Sequence, residues 1–247
     1  MSLPNIFKPT KNFKLTRVGR DNDGGYLVSN HSILKAKNLI SFGILDDISF
    51  EENFLKINNI PILCFDHTIN KSYWKKRIYN DLGAAIYNLN FKFISNTIRR
   101  YFESKKFFNS KNIKLYNETI KEGSIRKILK QHYLEKPIFF KIDIEGSEYR
   151  ILEELIEIQN SLCGLVIEFH DVDLHVEKIK NFIEKLQLTL THIHPNNYGP
   201  VDKNNDPTVI EFTFEKQPIE ISENCSLPNF LDQANNPLEK DIDLKFE

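Results

Sequence analysis

Residues 136–155, KPIFFKIDIEGSEYRILEEL, read as two elements in succession. The run PIFFKID (137–143) is apolar and rich in β-formers, as suits a strand covered on both faces. The spacing then changes: Ile151, Leu152, Leu155 and Ile158 recur at helical intervals along EYRILEELIEI. Gly146 supplies the turn between the two. Ser147 reads as the N-cap of the helix, and Glu148 as a first-turn acid favoured by the helix dipole. Lys141, Asp143 and Glu145 share one face of the strand or its exit, by the two-residue period of extended backbone. Burying charge is costly unless the charge is paired or used. Lys141 is therefore expected to be an internal counter-charge for Asp143, Glu145 or Glu168.

Working outward, the same alternation repeats. AKNLISFGI (36–44), IPILCFDH (60–67), NIKLYNETI (112–120) and CGLVIEFH (163–170) read as strands. HVEKIKNFIEKLQ places Val176, Ile179, Phe182, Ile183 and Leu186 on one helical stripe. Strands alternating with helices imply βαβ units and a doubly wound, mainly parallel sheet. QLTLTHIH (187–194) and TVIEFTFE (208–215) are joined by PNNYGPVDKNNDP, which is too polar for a crossover helix, so these two strands are expected to be antiparallel neighbours. By analogy of fold, a parallel sheet closed by an antiparallel hairpin is the pattern of class I methyltransferases rather than of dinucleotide dehydrogenases. The expected architecture is a single Rossmann-like α/β domain over 1–247. It has an N-terminal cap segment (1–35), a core (36–216), a basic helical insertion (71–112) and an acidic tail (217–247). The insertion is about three times too long for one crossover helix. It reads as two aromatic, basic helices over the sheet's carboxyl edge, serving as a lid, as a substrate platform or simply as packing.

Composition narrows the class. Hydrophobic residues at 40% and charged residues at 27% fit a globular protein, and a net charge of −1 selects no partner. Charge is uneven, however: Lys71–Lys114 holds eleven Lys or Arg against Asp81 and Glu103, while Gln217–Glu247 holds seven acids against two lysines. A basic segment suggests contact with something anionic. Cys64, Cys163 and Cys225 stand apart without a CxxC pair, which fits neither a zinc site nor a disulfide framework and points to a reducing compartment. There is no apolar signal core, and no run nears the roughly 18–20 apolar residues of a transmembrane segment. A cytoplasmic location is expected. Nothing here sets an oligomeric state.

In an open α/β sheet, ligands bind outside the carboxyl ends of the strands. Those ends carry Gly43 with Asp46 and Asp47, then Asp66-His67, Asn117-Glu118, Asp143 with Glu145, Glu168 with His170, and His194 with Asn196 and Asn197. Acids, imidazoles and amides converging at the ends of apolar strands mark a functional cleft. Asp66 suits two vicinal ribose hydroxyls, and Gly43 suits close approach of a ligand. The stretch ILDDISFE after Gly43 has no GxGxxG and is acidic, which disfavours a diphosphate and favours a sulfonium or amino group. The Gly24-Gly25 pair before Tyr26 marks a tight turn, or a cover over a bound cofactor through Gly25.

RVGRDNDGGYLV, SFGILDDISFE, CFDHTI, FFKIDIEGSEYRILEEL, VIEFH and HPNNYG followed by VIEFTF together resemble the FkbM-type methyltransferases, in a branch with a DGGY motif. The pieces run in order from Arg17 to Phe214. The resemblance implies a class I fold, S-adenosylmethionine as methyl donor, and transfer to an oxygen, often a hydroxyl on a glycan or natural product. It places Gly43, Asp66 and Asn117 in the donor site and Asp143 beside the transferred methyl. Ile44 and Leu45 depart from the glycine-rich first loop of many relatives, which leaves the donor contacts of that loop open.

Methylating a hydroxyl requires alignment and removal of a proton. His170 is the candidate base, with Glu168 on the same strand face, Asp143 at the reacting centre and Glu145 facing the acceptor or holding the loop. His194, Asn196, Asn197 and Tyr198 are candidates for binding an acceptor saccharide. The basic insertion extends that expectation to an anionic acceptor, such as a phosphorylated or nucleotide-linked glycan. Asp143, Glu168 and His170 form an oxygen-and-nitrogen set of a kind that holds metals, but no local spacing compels one and none is expected. An NAD(P)-dependent oxidoreductase and a non-catalytic nucleotide- or glycan-binding module are the alternatives on this fold. Nucleic acid is an unlikely partner, since no NPPY-like tetrad is present to grip a flipped base.

Overall fold

A computed structural model describes residues 2–247. The chain opens with β1 (Asn12–Phe13), β2 (Thr16–Val18), β3 (Tyr26–Val28) and α1 (Asn30–Lys35). It continues through β4 (Asn38–Phe42), α2 (Ser49–Ile57), β5 (Ile62–Phe65), α3 (Lys71–Tyr87), α4 (Lys92–Phe108), β6 (Ile113–Tyr116) and α5 (Ser124–Gln131). The second half comprises β7 (Ile138–Ile142), α6 (Leu152–Ile158), β8 (Leu162–Phe169), α7 (Val172–Lys185), β9 (Thr189–Pro195), β10 (Ile210–Glu215) and β11 (Glu220–Ser222).

Seven strands form one sheet in the order β6-β5-β4-β7-β8-β10-β9. The first five are parallel to one another, and β10 runs antiparallel to both of its neighbours. The expected antiparallel pair is present as β9 and β10, with β10 inserted between β8 and β9. This strand order, with its one reversed strand, is the class I methyltransferase fold.

Register builds the site. Phe42 pairs with Phe65 on one side and Ile142 on the other, and Ile142 pairs with Ile167. The residues that follow, Gly43, Asp66, Asp143 and Glu168, therefore come level along the sheet's carboxyl edge. Strand alternation fills both faces. Ile40, Phe42, Phe140, Ile142, Leu165 and Ile167 pack with residues of α5, α6 and α7 on one side. Leu39, Ile62, Cys64, Phe139 and Val166 pack with Phe50 and Phe54 of α2 on the other. Each such side chain contributes about 1.5–3 kcal/mol on burial. Lys141 alternates with Phe140 and so falls on the α2 face, beside Ser41, whose hydroxyl donates to Glu51 of α2.

One expectation changes. Ser147 makes no capping hydrogen bond: Glu148–Arg150 form a single 3₁₀ turn, and the α-helix starts only at Leu152. The reason is that the Glu148 side chain folds back to accept from Ile144 N and Gly146 N, at 3.0 and 3.2 Å. The acidic tail packs back on the rest of the chain. β11 pairs with β1, Leu3 bridges to Phe246, and Asp232 lies 2.9 Å from His192 on the edge strand β9. The insertion is the helical pair expected, with Trp74 edge-on to Tyr101 and the Thr97 hydroxyl on Asp81. Among the described residues no helix is long and apolar enough to cross a membrane.

Candidate active site

The carboxyl edge opens onto a cavity of about 650 Å³, lined by residues from every strand exit between β4 and β9. That volume lies within the roughly 300–1,000 Å³ of small-molecule sites. Its floor is fixed by contact between the exits of β4 and β7. Gly43 has φ +71°, and a Cβ there would lie 1.5 Å from the Asp143 carbonyl oxygen. Only glycine permits that approach. Lys141 locks the same junction: its Nζ donates to Gly43 O at 2.7 Å and lies 3.8 Å from Asp143 Oδ2 and 5.7 Å from the centre of the Tyr26 ring. Burial would lower the Lys141 pKa, but Asp143, Glu51, Asp47 and Glu168 outweigh it and raise it. The lysine is thus the internal counter-charge that its strand position implied. Leu45 and Glu145 line the cavity with φ near +50°, a left-handed conformation uncommon for side-chain-bearing residues.

Three ionisable groups converge at the centre. Burial lifts the Asp143 carboxyl to about 6, against the downward pull of Lys141 and His170. Burial also raises Glu168 well above the ordinary carboxylate range, with Asp143 and Glu211 adding to it. Glu168 accepts from Asn196 Nδ2 at 2.9 Å and from the Tyr26 hydroxyl at 3.3 Å. His170 places Nδ1 3.2 Å from Oε1 of the fully buried Glu148, while Nε2 lies 3.4 Å from Glu145 and 3.8 Å from Glu168. Burial would lower its pKa, but the hydrogen bond and charge of Glu148, followed by Asp143 and Glu145, raise it. Ligand atoms of Asp143, Glu168 and His170 lie within 4.8 Å of one another, close enough to share a cation. The chain already partners them, however, with both Glu168 oxygens hydrogen-bonded and Asp143 facing the Lys141 ammonium.

Of the residues expected in the site, Gly43, Asp46, Asp66, Asp143, Glu145, Glu168, His170, Asn196 and Tyr198 line the cavity. Two of these have other occupations. Asp66 accepts from Ile44 N, Leu45 N, Thr68 N and the Thr68 hydroxyl at 2.5–3.0 Å. Burial pushes its pKa up, but those bonds win and hold it below its ordinary value. Asp66 therefore fastens the first loop instead of presenting a free carboxylate to a ribose. Asp46 is paired with Arg100 at 3.2 Å and Arg77 at 3.6 Å, which latches the insertion to that loop.

Four residues lie outside the cavity lining. Gly25 packs on the Arg20 carbonyl, and its neighbour Gly24 faces the cavity. Asn117 donates to Ile69 O, and Glu118 and Thr119 reach the cavity in its place. His194 lies in β9, as its strand pattern implied, but its ring meets Asp241 and Glu211, at 3.1 and 3.7 Å, instead of the cavity. Asn197 exchanges hydrogen bonds with Asn236 and so anchors the tail. Two residues gain roles that spacing did not suggest. Glu148 orients His170. Arg20, 2.9 Å from Asp47 and bonded to Asp23, clamps the DGGY turn onto the first loop.

No family model matches the chain, and no curated protein matches it. Similar solved structures include an rRNA methylase from Streptococcus thermophilus (12% identity, 76% of this chain and 94% of that one, TM-score 0.38). Others are a precorrin-6y C5,15-methyltransferase from Geobacter metallireducens (14%, 76% and 86%, TM-score 0.39) and a putative caffeoyl-CoA O-methyltransferase from Staphylococcus aureus (12%, 73% and 76%, TM-score 0.36). At these scores the fold assignment rests on strand order and direction.

Proposed function

We propose that the protein is an S-adenosylmethionine-dependent methyltransferase of the FkbM type, in the branch with the DGGY motif, and that it methylates a hydroxyl of a saccharide or saccharide-linked acceptor. The observation that carries this reading is His170. It stands at the carboxyl edge of a class I sheet, with Nδ1 held by a buried carboxylate and Nε2 directed at the cavity acids. That is the geometry of an oriented general base, and a hydroxyl is the acceptor that needs one.

The cavity suits the donor. Phe65, Ile120 and Ile144 provide apolar wall for a flat base, while Asp47, Asp143 and Glu145 provide negative charge for a sulfonium and an ammonium. The cofactor, when bound, supplies an electrophilic methyl carbon. The chain supplies the rest. Lys141 and Gly43 hold the exits of β4 and β7 together. Asn196 and Tyr26 fix Glu168. Glu148 keeps the Nδ1 proton on His170, leaving the Nε2 lone pair to take the acceptor's proton. Because the cavity wall is acidic, any phosphate on the acceptor belongs outside it, towards the basic insertion.

The test is methyl incorporation from labelled donor into glycan extracts. Wild type is expected to transfer label, and His170→Ala to lower kcat by about 10²–10⁴-fold with donor binding retained. Full turnover by His170→Ala would remove the base assignment.

A further inference from the structure

The α3–α4 hairpin takes no part in the chemistry above, yet it holds eight of the eighteen exposed large apolar side chains among the described residues. On α3, Tyr79, Leu82 and Ile86 lie at i, i+3 and i+7, so they share one outward stripe. The end of α3 adds Tyr87 at 88% exposure, and the turn that follows adds Leu89 at 84% and Phe91 at 61%. These are not remnants of a poorly filled interior. Between the helices, Trp74, Ala85 and Thr97 are buried, and Trp74 meets Tyr101 edge-on. The hairpin carries nine basic residues against two acids, and one of those acids, Asp81, is engaged by Arg77 and Thr97.

An apolar and aromatic helical tip, with Lys92 beside it and the other lysines and arginines along the helices behind it, matches a surface that is anionic outside and apolar just beneath. A second copy of the hairpin would bring like charge against like charge, and a soluble polyanion would leave the apolar tip uncovered. We propose that the α3–α4 hairpin docks the protein on an anionic lipid bilayer, with the Ile86–Phe91 tip entering the headgroup layer. The hairpin's root is tied to the cavity through Arg77 and Arg100 on Asp46. Docking would therefore hold the cavity mouth near the bilayer and select a lipid-anchored saccharide as acceptor. That last step rests on the methyltransferase reading; the docking itself does not.

The experiment is co-sedimentation of the full chain with two kinds of vesicle: equimolar phosphatidylglycerol and phosphatidylcholine, and phosphatidylcholine alone. Binding is expected only to the first, and to weaken as salt is added. Leu89→Ser with Phe91→Ser should abolish sedimentation while leaving the melting curve unchanged, since both side chains are exposed. Lys92→Gln with Arg99→Gln should weaken binding about thirtyfold, at roughly fivefold per charge. Equal binding to both vesicles, or wild-type binding by the Ser variant, would overturn the proposal. So would a hairpin-dependent dimer in sedimentation velocity that the same tip changes dissolve, or heparin binding that survives them in the absence of vesicle binding. Because the readout is vesicle binding, its failure is separate from any failure of methyl transfer.

Discussion

Gly43→Ala is the sharpest perturbation of the site. The new Cβ would lie 1.5 Å from the Asp143 carbonyl oxygen, whereas ordinary contact begins near 3.4 Å. The exits of β4 and β7 would have to separate by about 1.9 Å, and Lys141 holds the same two exits together from the side. The backbone adds a second cost, because φ +71° is left-handed and costs an L-residue about 1–2 kcal/mol. With overpacking at about 1–3 kcal/mol, the total is roughly 2–5 kcal/mol. For a chain of this size, that lowers the melting temperature by roughly 4–20 °C. The effect on turnover should be larger than the stability loss implies. Asp143 moves with the β7 exit, and about 1 Å of misplacement at a reacting centre can cost about 10²-fold. Calorimetric melting and methyl-transfer kinetics on the same preparation, below the variant's melting point, separate the two effects. Wild-type melting and turnover would show that the two exits are not in contact and that Gly43 does not set the position of Asp143.

Two further outcomes follow from the ion pairs. Glu148→Gln keeps an acceptor for the backbone amides of Ile144 and Gly146 but removes the charge beside His170. The raised His170 pKa should fall, and the rising limb of kcat against pH should move to lower pH, with roughly a tenfold lower plateau; an unmoved limb would separate Glu148 from the base. His194 concerns the tail. Burial would lower its pKa, but the hydrogen bonds to Asp241 and Glu211 raise it to about 10. A group whose pKa is raised on folding stabilises fully below its unfolded value, near 6.5, and loses that contribution as pH rises through the folded one. His194→Gln should therefore melt below wild type in mildly acid buffer, and the gap should close above about pH 10. A gap independent of pH would assign His194 a packing role only.

Much of this was readable from the chain because it depends on period and punctuation. Continuous apolar runs such as PIFFKID specify strands covered on both faces, and parallel register then lines up the residues that follow them, which is how Gly43, Asp66, Asp143 and Glu168 come level. Spacing does not tell where a strand ends to within one residue, and alternation makes one residue decisive. β9 runs one residue past the 187–194 pattern, to Pro195, and which of its faces meets the tail, as His194 does, is not written in the alternation. Asn117 turns to Ile69 while the next residue reaches the cavity. Partners far apart in sequence are equally invisible. Asp46 looks like a loop acid until α3 and α4 bring Arg77 and Arg100 to it. Asp66 lies at the cleft, but its lone pairs are consumed by the neighbouring loop. Glu148 reads locally as a first-turn acid, and only the 3₁₀ turn swings it under His170.

The cleft is expected to bind a nucleoside cofactor without a diphosphate. Calorimetric titration of the full chain with S-adenosylhomocysteine and, separately, with NAD tests it directly. Micromolar binding of S-adenosylhomocysteine and none of NAD is expected; binding of NAD with no heat from S-adenosylhomocysteine would contradict it.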